Sequence, residues 1–180
     1  MLDVTYHMNN KAIIKLRAME PEDIDNIYDW ENDPTTWICS AAHQPFSRHT
    51  LQQFIDDCAS ADIYSCRQLR LMGINDDGVA VGCVDLFDFD PYHQRAGIGI
   101  IVDRSKRRKG FGLAMLIEVE QFASEHLRMH QLHCTIASDN KASIALFTTA
   151  GYTQCGTLKQ WNLDGSNNWR DALMFQKIIN

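Results

Sequence analysis

Arg104-Ser105-Lys106-Arg107-Arg108-Lys109-Gly110-Phe111-Gly112 places five positive side chains within six residues and closes on two glycines. A short apolar run, Gly97 to Val102, precedes it. Apolar residues at helical spacing (Leu113, Leu116, Ile117, Ala123, Leu127) follow it. The stretch therefore reads as strand, basic glycine turn, helix start. Such a turn cradles a phosphorylated ligand, because glycine lets the main chain approach closely and a helix N-terminus offers N–H groups at its positive dipole end. A solvated charge run or a nucleic-acid patch would also be basic. Neither of those needs an apolar strand on one side and a helix on the other.

Positive charge is confined to this loop. The 180-residue chain carries 17 basic and 23 acidic residues, net −6, and outside the loop 12 basic residues face the same 23 acids. A protein that coats nucleic acid spreads positive charge along a face, so no nucleic-acid partner is expected. An acidic remainder suits a cationic second substrate. Cys39, Cys58, Cys66, Cys83, Cys134 and Cys155 form no Cys-x-x-Cys pair and sit in apolar segments, which fits unpaired thiols in a reducing compartment. The first eleven residues lack an apolar signal core and no segment reaches membrane-spanning length. A cytoplasmic protein with no membrane partner is expected.

Upstream of the loop, residues 1–10 read as a lead-in, and Ile13-Ile14-Lys15-Leu16-Arg17 alternates as a strand. Pro21-Glu22-Asp23-Ile24-Asp25 opens a helix, since proline suits its first turn and acids there oppose the dipole. Ile24, Ile27 and Tyr28 share a face, and Asp33-Pro34 is expected to end the helix. Ser47 caps a second helix with Leu51, Phe54, Ile55 and Cys58 on one side. Gln68–Asn75 and Val79–Asp88 are apolar runs joined by Asn75-Asp76-Asp77-Gly78, a hairpin signal, and Ala96–Val102 is the next strand. After the third helix, Gly110 to Glu125, Leu132–Ala137 reads as a strand. Ser138 or Asp139 caps a short helix that ends at Ala150-Gly151. Strands at about Thr153–Leu163 and Trp169–Ile178 flank Asp164-Gly165-Ser166-Asn167-Asn168. The order β-α-α-β-β-β-α-β-α-β-β predicts one mixed α/β (α+β) domain over 1–180, without repeat or linker.

Two segments in that order resemble the GNAT N-acetyltransferase superfamily. Arg107-Arg108-Lys109-Gly110-Phe111-Gly112 is similar to the family's acyl-CoA loop, Gln/Arg-x-x-Gly-x-Gly/Ala. Asn140-Lys141-Ala142-Ser143-Ile144-Ala145-Leu146-Phe147, followed by Gly151-Tyr152, resembles its second signature. The resemblance covers about Ile13 to Ile178. Asn32-Asp33, His93-Gln94-Arg95-Ala96 and the Asp164-Gly165…Asp171 ending resemble the branch that acetylates polyamines such as spermidine and the N-termini of ribosomal proteins. Polyamine and peptide N-terminus both stay open as acceptors, and a homo-oligomer is compatible.

The resemblance implies acetyl-CoA as co-substrate and no metal. Its pantetheine arm would pair with the main chain of Ile100, Ile101 and Val102, where the fourth strand splays from the fifth. Its pyrophosphate would sit on N–H groups from Arg107 to Leu113 (Arg108, Lys109, Gly110, Phe111 and Gly112 between them). Asn140, Ser143 and Phe147 would line the arm, and Ile101 or Val102 N–H would hold the oxyanion. Two departures stand out: Phe147 replaces a common tyrosine acid, and Gly97 replaces a glutamate common in this branch. Solvent, Tyr152 or Cys134 are the remaining proton donors. Glu31, Asp33, Asp85 and Asp88 are the carboxylates to test as base or amine anchor.

His126, His130 and His133 fall at i, i+4 and i+7, but two lie near a helix C-terminus, where positive charge is favoured, and the third starts a strand. They read as structural rather than metal-binding, and His93 reads as structural too. Trp30, Trp37, Trp161 and Trp169 read as core or acceptor-site walls. The expected activity is acetyl transfer from acetyl-CoA to a primary amine by direct attack in a ternary complex. The alternative is a weak or idle acyl-CoA-binding module, since two usual catalytic groups are missing.

Overall fold

Seven strands form one mixed sheet in this computed structural model, which describes residues 12–37, 44–164 and 166–179. The lead-in 1–10, Cys39 and Gly165 lie outside the described residues, as does the side chain of Trp37. The strands are β1 (Ile14–Ala18), β2 (Leu69–Asn75), β3 (Ala80–Asp90), β4 (Arg95–Val102), β5 (Gln131–Ala137), β6 (Thr153–Leu163) and β7 (Trp169–Ile178). Their spatial order is β1-β2-β3-β4-β5-β7-β6. β1 to β4 pair antiparallel, β4 and β5 pair parallel, and β7 pairs antiparallel with both β5 and β6.

The helices are α1 (Ile24–Glu31), α2 (Pro34–Trp37), α3 (Arg48–Ser60), α4 (Ile63–Cys66), α5 (Phe111–Glu125) and α6 (Lys141–Thr149). A parallel strand pair needs a crossover, and α5 makes it, buried by Ala114, Met115, Leu116, Val119 and Ala123. Leu86, Ile98, Leu132, Phe147 and Phe175 complete the core on that side. On the opposite face Ile27 and Trp30 of α1, with Leu51 and Ile55 of α3, pack on Met72 and Cys83. β4 is thus covered on both faces, which is why its sequence runs apolar without alternating.

The expected strands all form, with ends shifted by one or two residues. Two short helices and one cap differ from expectation. Pro34 does not merely end α1: Asp33 Oδ1 accepts from Thr35 N–H and Thr35 Oγ1, so the chain restarts as α2 with proline at its first position. Asp62 caps α4 by accepting from the Tyr64 and Ser65 N–H groups. α6 is capped by Asn140, whose Oδ1 accepts from Ser143 N–H at 3.1 Å, and not by Ser138 or Asp139. The Ser138 N–H still bonds the Asp171 C=O at the end of the β5–β7 ladder, and the first helical bond is Ile144 N–H to Asn140 C=O.

Candidate active site

Parallel pairing of β4 with β5 joins Arg95 to Gln131, Ala96 to Leu132 and Gly97 to His133, and stops. Beyond Gly97 the strands part: β4 continues against β3 to Val102, while β5 continues against β7 to Ala137. The sheet therefore opens as a wedge with Gly97 and His133 at its apex. Asp103 N–H donates to Val81 C=O, which fixes the phase of the β3–β4 ladder. Its alternation turns the Ile101 N–H toward β3, beside Cys83, and turns the main-chain polar groups of Ile100 and Val102 into the wedge, with Ile98 at the apex. Of the two expected oxyanion donors only Val102 faces the opening. Ile101 is committed to β3, and the neighbour that faces the opening with Val102 is Ile100.

The basic loop closes the wide end. Arg107 Nε donates to Val102 C=O at 3.0 Å, and its guanidinium stands 4.0 Å from Asp33. Arg108 and Gly110 adopt left-handed φ values of 64° and 85°. A Cβ at Gly110 would meet only Ala12 at 3.7 Å, so conformation rather than space demands glycine there. No side chain caps α5, and Phe111, Gly112 and Leu113 have no N–H acceptor within the helix. Across the opening, Leu146 of α6 lies 3.2 Å from where a Gly112 Cβ would stand, and Val102 lies 3.4 Å from it.

Asp103 anchors the loop's base, accepting from Trp30 Nε1 at 2.9 Å and from the Ser105 N–H and hydroxyl. Burial opposes its charge, but those hydrogen bonds and Lys106 hold its carboxyl below the usual range. Arg104, Arg108 and Lys109 are exposed. Unpaired strand main chain, an uncapped helix start and exposed cations together fit the amide-rich arm and pyrophosphate of acetyl-CoA.

The other face of β4 carries the carboxylates. Arg70 donates from Nε and Nη2 to both oxygens of Asp85, at 2.7 and 3.0 Å, and from Nη1 to Glu31 at 2.5 Å. The three side chains are 11%, 13% and 12% exposed. Burial disfavours the Arg70 charge, yet Asp85 and Glu31 hold it firmly protonated. Asp33 caps α2 and faces Arg107; hydrogen bonds from Thr35 keep its carboxyl below the usual range. Asp88 is exposed at a left-handed φ of 48°. The four expected carboxylates thus occupy three separate places.

Gly97 leaves no vacant place for a side chain. A Cβ there would lie 2.3 Å from the Phe87 ring, which also stands 3.7 Å from the Gly99 position. Phe147 is 3% exposed and its ring meets Tyr152 edge-on at 5.0 Å, so it belongs to the core more than to a ligand wall. Tyr152 and Cys134 are buried as well. Burial pushes the Cys134 thiol up to about 12, and burial beside Glu120 pushes the Tyr152 phenol above its ordinary value. The Tyr152 hydroxyl stands beside Glu120 without a well-formed hydrogen bond, and with both groups buried and their protons held more tightly, neither Tyr152 nor Cys134 is a ready acid.

Trp30 is buried, whereas Trp161 and Trp169 are exposed near the β6–β7 turn. His126 caps the C-terminus of α5. Arg70, Phe87 and Asp103 were not singled out in the sequence. A lone arginine in the apolar run 68–75, and two glycines two apart in a strand, were the available signals for Arg70 and Phe87.

A family model described as an acetyltransferase (GNAT) domain matches residues 14–153. The chain is similar to spermidine N(1)-acetyltransferase of Escherichia coli (strain K12), 21% identical over 150 residues, 81% of this chain and 75% of that protein. Among solved structures it is similar to spermidine N-acetyltransferase from Vibrio cholerae in complex with CoA and spermine. That likeness has a TM-score of 0.81 at 19% identity, over 92% of this chain and 95% of the other. A dodecameric structure of the Vibrio cholerae enzyme matches with a TM-score of 0.77 at 19% identity, over 92% and 93%. No helix among the described residues is long and apolar enough to cross a membrane.

Proposed function

The chain belongs to the GNAT family of acetyl-CoA-dependent N-acetyltransferases, and on that premise we propose that it acetylates a cationic primary amine, a polyamine before a peptide N-terminus. The observation that carries this reading is the wedge itself, with Ile100 and the Val102 N–H left without a strand partner on the way to the uncapped start of α5. Ile100 and Val102 pair with the amide-bearing arm, and N–H groups from Arg107 to Leu113 receive the pyrophosphate, with charge from Arg108 and Lys109. Asn140, Ser143 and Leu146 of the α6 start flank it. Bound acetyl-CoA supplies an acyl carbon on a thiol of pKa about 8.5, a fair leaving group. The Val102 N–H, aimed into the wedge, is the donor for developing negative charge on the acyl oxygen.

The amine approaches from the face that holds Asp85, Phe87 and Glu31. Two carboxylates around one guanidinium leave a surplus negative charge there, and the Phe87 ring offers a cation a π-face. Freeing an amine of pKa about 10.4 at pH 7 costs about 4.6 kcal/mol, so a proton acceptor is part of the requirement. The two similar spermidine acetyltransferases favour a polyamine over a peptide end. Exposed Trp161, Leu163 and Trp169 suit burial between copies, and the dodecameric relative favours a homo-oligomer. We assign it to the cytoplasm, where acetyl-CoA and unpaired thiols coexist.

Phe147 and Gly97 favour a second reading, an acyl-CoA-binding module with little turnover. Release of CoA thiol with polyamines, peptide N-termini and aminoglycosides side by side separates the two. Turnover fastest with spermidine or spermine is expected. A folded protein that binds CoA and releases no thiol with any amine refutes acetyl transfer.

A further inference from the structure

We infer that His133 is the group that takes the proton from the acceptor amine. This rests on the reading of the chain as an amine acetyltransferase. His133 is the last β5 residue paired with β4, so it stands at the apex where the two strands part. Its neighbours Leu132, Cys134 and Ile136 point into the core under α5 and α6, which turns His133 to the opposite face. That face carries Phe87 and Asp85, and the partner of His133 across the parallel register is Gly97, which has no side chain to cover it. His133 is partly exposed, as a group meeting a substrate must be.

Three of the four carboxylates are engaged, and the fourth, Asp88, is an exposed group at the left-handed bend of β3. Glu31 and Asp85 share Arg70, so protonating either would break a buried ion pair. Asp33 is bound to Thr35 and faces Arg107. The groups acting on His133 are burial and Arg95 of β4, which favour the neutral imidazole, and Asp88 of β3, which opposes them. Arg95 is itself paired with Asp90 at 3.3 Å. The balance leaves a neutral base at pH 7, able to accept a proton from an ammonium ion.

The step balances as follows. The ammonium gives one proton to the His133 imidazole, and the nitrogen lone pair then forms the N–C bond to the acyl carbon. The C–S bond breaks with its electron pair on sulfur. The second N–H proton leaves with the thiolate as CoA thiol, and the imidazolium returns its proton to solvent. One amide, one thiol and one proton result from one ammonium ion and one thioester.

The test combines kinetics with a direct titration. In the wild type, kcat/KM for spermidine should fall on the acid side with a midpoint below the ordinary histidine value, about 6.5. The His133 imidazole, followed by NMR in the ligand-free protein, should titrate at that same midpoint. His133→Gln should lower kcat about 100-fold, remove the acid limb and leave CoA affinity within threefold, and added imidazole should restore part of the rate to His133→Ala. A His133→Gln enzyme that keeps its acid limb, or kcat within threefold of wild type, overturns the assignment while leaving acetyl transfer intact. A wild type that turns over no amine overturns both. Should the variants not fold, an NMR midpoint that fails to coincide with the kinetic limb is sufficient to overturn it.

Discussion

Asp85→Asn separates an amine anchor from a base, because the structure fixes what the substitution breaks. Asp85 holds two nitrogens of Arg70 at 2.7 and 3.0 Å, with both side chains close to nine-tenths buried. An asparagine keeps the shape, but it can accept one of these bonds and must turn an NH2 toward a second N–H donor. Removing one partner from a buried pair costs about 3–5 kcal/mol when the remaining charge is uncompensated. Glu31 still pairs with Arg70 at 2.5 Å, so the expected loss is smaller, about 2–3 kcal/mol. At roughly 2–4 °C per kcal/mol for a chain of this size, Tm falls by about 4–12 °C. Arg70→Leu, which strands both carboxylates, should cost more. The double variant Arg70→Leu/Asp85→Leu should recover part of the loss, giving a coupling energy above about 1 kcal/mol. In steady-state kinetics, Asp85→Asn should raise the amine KM, spare CoA affinity and leave the acid limb of kcat/KM where it is. An Asp85→Asn protein of wild-type stability whose kcat drops 100-fold with loss of that limb would refute this reasoning and make Asp85 the base.

Gly97→Ala forces its Cβ into the Phe87 ring, 2.3 Å away, and should cost about 1–3 kcal/mol in urea unfolding; Phe87→Leu should relieve it, and a neutral Gly97→Ala would show the ring is free to move. Gly110→Ala should lose about 1 kcal/mol from its left-handed φ of 85°, and Gly110→Asp should also weaken CoA binding at least tenfold; unchanged CoA affinity in a folded Gly110→Asp protein would remove the phosphate cradle. Tyr152→Phe deletes a buried hydroxyl that stands beside Glu120 without a well-formed hydrogen bond, so stability should hold within about 1 kcal/mol, with kcat unchanged; a larger loss would reveal a full bond to that hydroxyl. The Asp164 carboxyl, held down at about 2 by the Asn168 N–H and by Arg170 and Ser166, steadies the β6–β7 turn. Since its folded value is depressed, that contribution is full above about pH 4 and disappears as pH falls through about 2. Amide exchange at Asn168 should accelerate only in that window, and acceleration already at pH 5 would contradict it.

The loop Arg104–Gly112 was legible because its chemistry is main-chain chemistry: glycine, a helix start and a preceding strand are fixed by local sequence. The succession of strands along the chain was equally legible, since hairpin turns and the change from period 2 to 3.6 are short-range signals, whereas the insertion of β7 between β5 and β6 is not. The acceptor face was not. Arg70 lies 39 residues from Glu31 and 15 from Asp85, and the three meet only because β2, β3 and α1 pack together. Asp85 taken alone shows a strand carboxylate, but neither its register nor its partner. Ile101 and Val102 make the same point over a shorter distance. Which of two adjacent N–H groups enters the wedge depends on the phase of the β3–β4 ladder, set by Asp103 on Val81. Register decides His133 as well: the sequence reads it as a structural residue at the start of a strand, and only the β4–β5 pairing sets it opposite Gly97. Catalytic geometry in this fold is therefore a property of register. A one-residue slip of β5 against β4 would carry His133 into the core and bring Leu132 or Cys134 to the apex, leaving the cradle intact and the amine without a base.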